Sequence, residues 1–559
     1  MKRLNSLFSL LLAACAGLFL FPLGMHALWD SDEGRYAEIA REMVASHQWL
    51  VPHLNNVLYF EKPPLAYWLT AFGLRLFGEN PFGARFFSAL CGLLTVALVY
   101  RIGRTWKNER TGLLAGGMLA TSLAFFALTQ YLVVDMVLTF WLILALEASL
   151  HLVTDVAPEK IRRHALIFAL GVAGAFLTKG LIGMLIPGSV LVLTLLIQRM
   201  PERARQIPWI SAFLLFLFLA LPWFILVNHR HPFFLSFFFI HEHFARYFTS
   251  VHQRNGPIYY FIPVLLVGFL PWVFFLPRTG VFWLKNRAVL LRQDSRATML
   301  FIWASFIFVL FSFSSSKLPA YMLPVFPAFA LLTAAFLDER FDESPMSRWM
   351  SWAVDGWIVF ILLIIGLLKW MPSPEFLQQP PASFIVENGA SLAISLALCT
   401  LVLVGVWGMR QTAVAFGGLL ITQVLFLSGL TALAPQLDPW FSTQRLGQLI
   451  AARGNPQDPV IVYGVSYETY VQTLAFYTQR RIAIYGPLGE FALGAAHAAD
   501  AALWFAEGDK ATEALTQAPA GAWVVTNDEY ENQLAAAGLL DQFVKVEASG
   551  RLHLLQKIQ

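Results

Sequence analysis

The sequence carries little charge. Only 13% of its 559 residues are Asp, Glu, Lys or Arg, whereas 57% are hydrophobic. Soluble globular domains carry roughly 25% charged residues, so this composition excludes an ordinary water-soluble enzyme and a disordered chain. The net charge of +4 is the excess that basic cytoplasmic loops give to a membrane protein. The composition therefore predicts a polytopic membrane protein and gives no reason to expect a nucleic-acid partner.

Cysteine is equally scarce. Cys15, Cys91 and Cys399 lie far apart in apolar runs, which indicates neither a disulfide framework nor a zinc ribbon. No small-residue cleavage site follows the basic start at Lys2 and Arg3, so the first apolar run is predicted to remain as a helix. The C-terminal region lacks a glycine-rich phosphate loop, so we do not expect it to bind a nucleotide.

Long apolar runs are abundant. A bilayer core requires about 20 apolar residues per helix, and the runs predict thirteen transmembrane helices: 6–26, 84–103, 111–130, 134–154, 164–178, 181–198, 208–228, 257–277, 298–313, 319–337, 351–370, 388–408 and 413–433. Lys and Arg concentrate in alternate connections between these spans. Because basic loops stay in the cytoplasm, this alternation predicts a cytoplasmic N-terminus and an external C-terminus.

The predicted transmembrane domain, residues 1–433, has two large external loops, 27–83 and 229–256. In the first loop, Tyr36, Ile39, Ala40 and Met43 follow helical spacing, which predicts an amphipathic helix lying in the membrane interface. The tail, 434–559, is less apolar and has β-type runs at 460–463, 481–485 and 523–525. Helix-like stretches at 467–478 and 528–537 separate these runs, so the tail is predicted to form a small external α/β domain.

Acidic residues are concentrated at the start of the first loop. Asp30, Asp32 and Glu33 precede the predicted amphipathic helix, and Asp30 with Glu33 fits a capping box. The alternative is a carboxylate held at the membrane surface as a base or as a positioning group. Asp135 lies in a short apolar turn between spans, where solubility does not explain a carboxylate.

Three lysines lie at similar depth on the external side. Lys62 follows Tyr59 and Glu61 and precedes two prolines, while Lys179 and Lys317 lie in tight external turns. An aromatic belt with snorkelling lysines is one interpretation. The other is a set of cations that grips an anionic headgroup, to which Arg246 and Arg254 would add.

Histidines cluster in the second external loop at His229, His231, His241, His243 and His252. In a helix, His241 and His243 would point to different faces, so they do not form the metal pair of an HExxH motif. An irregular loop could still bring a histidine to Glu61 or Asp32. A divalent metal site formed by Glu61, His241 and His243 is therefore an alternative.

Several motifs together resemble a known family. They are Asp32-Glu33-Gly34-Arg35-Tyr36-Ala37-Glu38, Val51-Pro52-His53-Leu54-Asn55, Tyr59-Phe60-Glu61-Lys62-Pro63-Pro64-Leu65 and Lys317-Leu318-Pro319-Ala320-Tyr321. With a large first external loop, some dozen spans and an external tail, the chain is similar to the glycosyltransferase C superfamily. Within it, the motifs resemble the aminoarabinose–lipid A transferases, relatives of the protein O-mannosyltransferases. The resemblance is strong to about residue 335 and architectural beyond it.

The resemblance implies a donor, undecaprenyl-phosphate-linked 4-amino-4-deoxy-L-arabinose, and an acceptor, a lipid A phosphate. Both would be used at the periplasmic face of a Gram-negative inner membrane, among membrane lipids. It implies Asp32 as the leading catalytic carboxylate, with Glu33 as support and Asp135 as a second acid. The remaining expected site residues are Lys62, Tyr59, Arg246, Lys179, Lys317 and Tyr321 for the donor phosphate, and Arg35 and Glu61 for positioning the acceptor or sugar.

The expected reaction is an inverting displacement at the anomeric carbon, in which negative charge grows on the leaving polyprenyl phosphate. Fixed cations at that phosphate would stabilise the transition state more than the ground state. Two alternatives remain: a polyprenyl-phosphate glycosyltransferase with another sugar or acceptor, and a transporter without chemistry. The sequence shows no pair of interrupted spans in matching halves, which disfavours an inverted-repeat carrier.

Overall fold

A computed structural model describes residues 2–245, 256–288, 293–342, 348–370, 390–409, 411–466 and 471–558. The N-terminal part is helical: α1 Lys2–Leu20, α2 Asp32–Ser46, α3 Leu65–Phe77, α4 Pro81–Trp106, α5 Glu109–Thr121, α6 Leu123–Thr129, α7 Val134–Thr154, α8 Pro158–Lys179, α9 Leu181–Ile197, α10 Pro201–Gln206, α11 Trp209–Arg230, α12 Phe234–Ser236, α13 Phe261–Gly268, α14 Leu276–Lys285, α15 Ser295–Ser312, α16 Phe326–Asp338, α17 Arg348–Trp370, α18 Ala390–Met409 and α19 Thr412–Phe441. A π-helix spans Phe237–Ala245, and 3-10 turns lie at Phe21–Gly24, Trp272–Phe275 and Pro319–Val325.

Among the described residues, nine helices are long and apolar enough to cross a bilayer, and two bent pairs raise the number to eleven. The thirteen predicted spans all fall on these helices or pairs, or on the shorter apolar helices Leu181–Ile197 and Leu392–Val406. Exposed side chains such as Ile210 and Phe218 project from them, as expected where lipid replaces water. The chain is a multi-span membrane protein.

Two predicted spans are not straight. The span predicted at 111–130 is the pair α5 and α6, which bends by 65°. The span predicted at 257–277 consists of Phe261–Gly268 and Trp272–Lys285, which meet at 105°. Apolar length alone does not reveal such breaks, because both arms of a bent helix are as apolar as a straight one.

Three buried tryptophans of the helical core have hydrogen-bond partners, as a low dielectric favours. Trp272, Trp303 and Trp357 are fully enclosed. Their indole N–H groups donate to the Thr121 hydroxyl, the Pro324 carbonyl and the Thr422 hydroxyl. The core therefore fixes helix positions by hydrogen bonds as well as by packing.

The C-terminal region forms an α/β domain with a six-stranded mixed sheet in the order β5-β4-β3-β6-β8-β7. Its strands are β3 Val460–Tyr463, β4 Ile482–Tyr485, β5 Phe505–Ala506, β6 Trp523–Asn527, β7 Phe543–Ser549 and β8 Leu552–Lys557; β1 His53–Leu54 and β2 Val57–Leu58 form a separate hairpin in the first loop. Its helices are α20 Gln444–Arg453, α21 Thr473–Thr478, α22 Ala492–Ala496, α23 Ala501–Trp504, α24 Asp509–Thr516 and α25 Asp528–Ala536. Residues 467–470 of one predicted helical stretch lie outside the described residues.

The domain boundary predicted at 433/434 falls inside a helix. Helix α19 continues to Phe441, and its C-cap residue Ser442 leads directly to α20. Pro435 and Pro439 lie within this helix, although proline ordinarily interrupts helices. The change in composition near residue 434 therefore does not coincide with the structural boundary.

The first external loop packs against the C-terminal domain instead of lying free in the interface. Tyr36 and Ile39 of α2 share one hydrophobic core with Val460 of β3 and Ile482 of β4. The Asn55 amide and the Ile482 backbone exchange two hydrogen bonds, each 2.8 Å long. The loop and the tail therefore pack together as one unit.

The predicted helix forms as α2, but protein covers the side opposite its apolar face. Arg35, Glu38 and Glu42 lie on that side and are all buried. Glu38 pairs with Arg41 at 2.7 Å, and Glu42 accepts hydrogen bonds from the Asn56 backbone. The helical periodicity was read correctly, but protein covers the polar side because its charges find partners there.

Candidate active site

The start of α2 places two neighbouring carboxylates in opposite environments. Glu33 is fully buried and makes a bidentate ion pair with Arg85, with two N···O distances of 2.7 Å. Glu33 also accepts hydrogen bonds from the backbone N–H groups of Leu132 and Trp29. The side chain of Asp32 is 30% exposed, and its ion pair with Arg35 is a longer contact of 3.6 Å.

Arg85 explains why Glu33 can be buried. Its guanidinium also donates to the backbone carbonyls of Leu23, His26 and Ala27. Because every charged hydrogen-bonding group is satisfied, the pair survives removal from water. It ties together the end of α1, the start of α2, helix α4 and the turn before α7.

Asp30 does not form the predicted capping box. Its carboxylate accepts hydrogen bonds from the backbone N–H and the hydroxyl of Thr473, at 2.7 and 2.9 Å. The N-cap of α2 is Ser31, whose side chain makes no capping hydrogen bond. Removal from water raises the pKa of Asp30 to about 7 despite the hydrogen bonds from Thr473. Asp30 thus connects the first loop to the C-terminal domain.

Gly34 permits the same connection. A β-carbon at this position would lie 2.5 Å from the Thr473 nitrogen and 2.7 Å from the Gln472 carbonyl carbon. No side chain fits in that space without moving backbone. The glycine between the acids and Arg35 is therefore explained by close approach of the C-terminal domain.

Arg35 lies between Asp32 and two residues of the C-terminal domain. Its guanidinium is 3.1 Å from Glu490 and donates to the Gln472 side chain at 3.2 Å. The hydroxyl of Tyr59 donates to the same Glu490 carboxylate at 3.0 Å. The contribution of the tail to this cluster is not predictable from the sequence, since no motif surrounds Glu490 or Gln472.

Three tyrosines of the first loop surround this cluster. Burial raises the pKa values of Tyr36, Tyr59 and Tyr67 well above their ordinary range, so each hydroxyl keeps its proton at neutral pH. Tyr67 is fully buried, and its hydroxyl has no hydrogen-bond partner within the described part of the chain. These hydroxyl groups are donors suited to an anionic or polar ligand.

Asp135, Lys179 and Tyr321, which the sequence analysis singled out separately, come together. Lys179 lies 2.5 Å from the Asp135 carboxylate, and its ammonium lies 4.5 Å from the centre of the Tyr321 ring. Lys179 ends α8 and Asp135 lies in the first turn of α7. An ion pair and a cation–π contact thus hold one cation where α8 ends and α7 begins.

Lys62 occupies a second acidic environment. Its ammonium lies 3.7 Å from Glu61 and 3.8 Å from Glu242, and it donates to the Glu61 carbonyl at 3.0 Å. Glu242 was not predicted as a site residue, although it lies between His241 and His243. Lys317 is buried and donates to the Ser314 carbonyl at 2.5 Å. Arg246 and Arg254 lie outside the described residues.

Within the described part of the chain, the expected metal ligands do not lie together. His241 contacts Glu242 at 3.2 Å and stacks on Phe237, whereas Glu61 contacts the Lys62 ammonium. The side chain of His243 lies outside the described residues. Among the described residues, two other groups of His and carboxylate side chains are close enough to share an ion. They are His151, Asp155 and His164, and Asp528, Glu531 and His553.

Comparison with known proteins identifies the family of this chain. Residues 6–238 match the dolichyl-phosphate-mannose-protein mannosyltransferase family. The undecaprenyl phosphate-α-4-amino-4-deoxy-L-arabinose arabinosyl transferase of Aeromonas salmonicida is 33% identical over 68% of this chain and 68% of its own. An arabinosyl transferase of the same kind from Pseudomonas fluorescens is 36% identical over 66% of this chain and 67% of its own.

The crystal structure of ArnT from Cupriavidus metallidurans bound to undecaprenyl phosphate superposes with a TM-score of 0.84 and 28% identity. It covers 98% of this chain and 97% of that one. The agreement therefore extends over the helices, the first loop and the C-terminal domain. The chain belongs to the undecaprenyl phosphate-aminoarabinose arabinosyl transferase family of integral-membrane glycosyltransferases.

Proposed function

We propose that this enzyme transfers 4-amino-4-deoxy-L-arabinose from undecaprenyl phosphate to a phosphate of lipid A. The reaction would occur at the periplasmic face of a Gram-negative inner membrane. The added amine offsets a phosphate charge, so the modification would give resistance to polymyxin and other cationic antimicrobial peptides. The observation that supports an active site here is the partly exposed Asp32, which lies beside the buried Arg35 guanidinium and the protonated Tyr36.

In the proposed step, an oxygen of the lipid A phosphate attacks the anomeric carbon of the sugar. The bond from that carbon to the undecaprenyl phosphate oxygen breaks, and the phosphate leaves with the electron pair. Inversion at the anomeric carbon follows from this single displacement. Negative charge grows on the leaving phosphate, so a preorganised cation there lowers the barrier.

Lys62 and Lys179 are the proposed cations for the donor phosphate. Glu61, Glu242 and Asp135 lie next to them and hold each ammonium in place before the substrate arrives. Tyr59 and Tyr321 lie beside this region and belong to the same proposed site. Lys317 would act through the backbone of its own turn, since its ammonium contacts Ser314.

Asp32 has a different proposed role from a simple base. A phosphate monoester has a second pKa near 6 and is mostly dianionic at pH 7, so the acceptor scarcely needs deprotonation. Asp32 instead stabilises positive charge on the sugar, either at the ring as it becomes oxocarbenium-like or at its amine. Asp135 is less suited to this role because Lys179 already neutralises it at 2.5 Å.

Glu33 is proposed as a positioning residue instead of a catalytic one. Its two oxygens are engaged by Arg85 and by backbone donors, and the side chain has no exposed surface. Arg35 is proposed to orient Asp32 toward the substrate from its site between Asp32 and Glu490. Tyr67 is an additional proposed donor to the substrate because its buried hydroxyl has no partner among the described residues.

The test is mass spectrometry of lipid A from a transferase-null strain that carries wild type, Asp32→Asn or Glu79→Gln at matched protein levels. Glu79 is an exposed acid of the same loop and serves as the control. We expect wild type and Glu79→Gln to add aminoarabinose, and Asp32→Asn to reduce the rate roughly 10²- to 10³-fold.

Two outcomes would contradict the proposal. If Asp32→Asn kept full activity, the only remaining role of this carboxylate would be its favourable interaction with the dipole of α2 at the start of that helix. Absence of aminoarabinose with well-expressed wild type and an ample donor supply would favour another sugar or another acceptor.

A further inference from the structure

A groove whose lining is suited to a lipid lies at the opposite end of α8 from Lys179. A groove of about 720 Å³ opens between α8 and α11, with Arg162, Arg163 and Glu159 at its mouth. Seventeen residues of α8 separate Arg162 from Lys179, about 26 Å at 1.5 Å per residue. The groove mouth therefore lies near the other surface of a bilayer core that is about 30 Å thick.

Below the mouth, the groove is apolar. Leu166 and Leu170 line it from α8, and Leu215 and Leu219 line it from α11. Each pair is spaced four residues apart, so each lies along one helix face. Arg162 and Leu170 differ by eight residues, which gives the trough a depth of about 12 Å. Charge at the surface and leucine below it match the two parts of a phospholipid.

The two arginines are available for a ligand. Arg162 and Arg163 are exposed, and within the described chain neither guanidinium has a hydrogen-bond or ion-pair partner. By contrast, Arg203 and Arg205 of α10, at the same predicted membrane surface, engage Gln206 and Glu202 of their own helix at 3.0 Å. The unpartnered pair is therefore distinguished from an ordinary basic loop.

We propose that this groove binds an anionic phospholipid of the cytoplasmic leaflet. The guanidinium groups pair with the phosphate diester, for which the planar arginine fork is well suited. One acyl chain lies between α8 and α11. Glu159 lies at the mouth as well and leaves a net lining charge of +1, which favours an anionic headgroup over a neutral one. Basic pockets between helices on this side of a membrane recognise such headgroups.

The experiment is native mass spectrometry of the delipidated full-length protein in detergent, titrated with phosphatidylglycerol or phosphatidylcholine. We expect wild type to bind phosphatidylglycerol preferentially. The variant Arg162→Ala/Arg163→Ala should weaken phosphatidylglycerol binding by roughly 10- to 30-fold, from about a tenfold or smaller contribution per basic residue. The matched control Arg203→Ala/Arg205→Ala should leave it unchanged.

A second pair of variants tests the apolar trough without changing charge. Leu215→Trp would fill the groove and should weaken phosphatidylglycerol binding. Leu214→Trp, on the neighbouring exposed surface of α11, should not. Unfolding temperatures in lipid-free detergent establish that all variants fold.

Three results would overturn the proposal. Equal binding of phosphatidylcholine would show that the arginines do not select charge. Equal losses in the two arginine pairs, or in the two tryptophan variants, would show that the groove is not the site. Displacement of phosphatidylglycerol by equimolar undecaprenyl phosphate would assign the groove to the donor chain.

Discussion

Two neighbouring ion pairs at the start of α2 differ in almost every physical respect. Glu33 and Arg85 have no exposed surface and meet at 2.7 Å, whereas Asp32 is 30% exposed and lies 3.6 Å from Arg35. The first pair is closed, because backbone groups satisfy its remaining donors and acceptors. The second is open, because Asp32 keeps surface for another partner.

The comparison shows that adjacency in sequence does not imply a shared role. Successive residues of a helix are rotated by about 100°, so Asp32 and Glu33 face different surroundings. A charge buried without exposed surface stabilises structure through its partners. A charged side chain that is held in place but partly exposed can still interact with a substrate. Catalysis by preorganised charges requires such a side chain.

The largest expected effect comes from opening the closed pair. Arg85→Ala leaves Glu33 buried without its counter-ion, which typically costs about 3–5 kcal/mol. We expect a large fall in the thermal unfolding temperature in detergent and a low yield of folded protein. The control is Arg205→Ala, which removes an exposed pair with Glu202 and should not measurably change the unfolding temperature. Equal stability of the two variants would refute the closed-pair interpretation.

A smaller loss is expected at the ion pair of Asp135 and Lys179. Lys179→Gln removes a proposed cation from the leaving phosphate and should reduce the transfer rate roughly 10²- to 10³-fold. Lys160→Gln changes an exposed lysine at the other end of α8 and serves as the control. Wild-type rates in a transfer assay with purified Lys179→Gln would remove Lys179 from the proposed mechanism.

The contribution of the C-terminal domain should be smaller again. Glu490→Gln keeps an acceptor for the Tyr59 hydroxyl but removes the ionic partner of Arg35. Because charge-assisted hydrogen bonds are roughly twice as strong as neutral ones, we expect about a tenfold lower rate. Glu513→Gln, at an exposed acid of the same domain, should act like wild type. If both variants retain full rates, Arg35 does not need Glu490 to orient Asp32.

A last expected effect concerns the pH dependence of stability. The pKa of Asp30 rises to about 7 in the folded protein through removal from water. The folded state therefore binds this proton more tightly than the unfolded state, whose pKa lies near 3.9. Its contribution to stability is largest at low pH and falls as pH rises from about 4 to 7. Asp30→Asn should flatten that part of the unfolding-temperature profile, and an unchanged slope would contradict this assignment.

Much of the membrane architecture could be predicted because it depends on local composition. The thirteen apolar runs all coincide with helices or bent helix pairs, and the β-type runs at 460–463, 481–485 and 523–525 contain β3, β4 and most of β6. The bends could not be predicted, nor the extension of α19 to Phe441, since packing against neighbouring helices decides both.

For the candidate site, the residue types were informative but their pairings were not. Asp135, Lys179 and Tyr321 were each singled out, yet only the fold shows that they form one cluster. Asp32 and Glu33 were grouped as acids, although their environments are opposite. Gln472 and Glu490 were not predicted because no local pattern distinguishes them from other polar residues, whereas Glu242 had a signal in its neighbours His241 and His243.

By itself the sequence determined that this is a membrane protein, where its apolar helices lie, and which motifs relate it to lipid-linked sugar transfer. These properties depend on hydrophobic length and on short runs of residues. Tertiary structure alone decided that Arg35 meets Gln472, which is 437 residues away, and that Asp32 stays open while Glu33 is closed. The free energy of a charge depends on the partners and water around it, and those are set by residues distant in the chain.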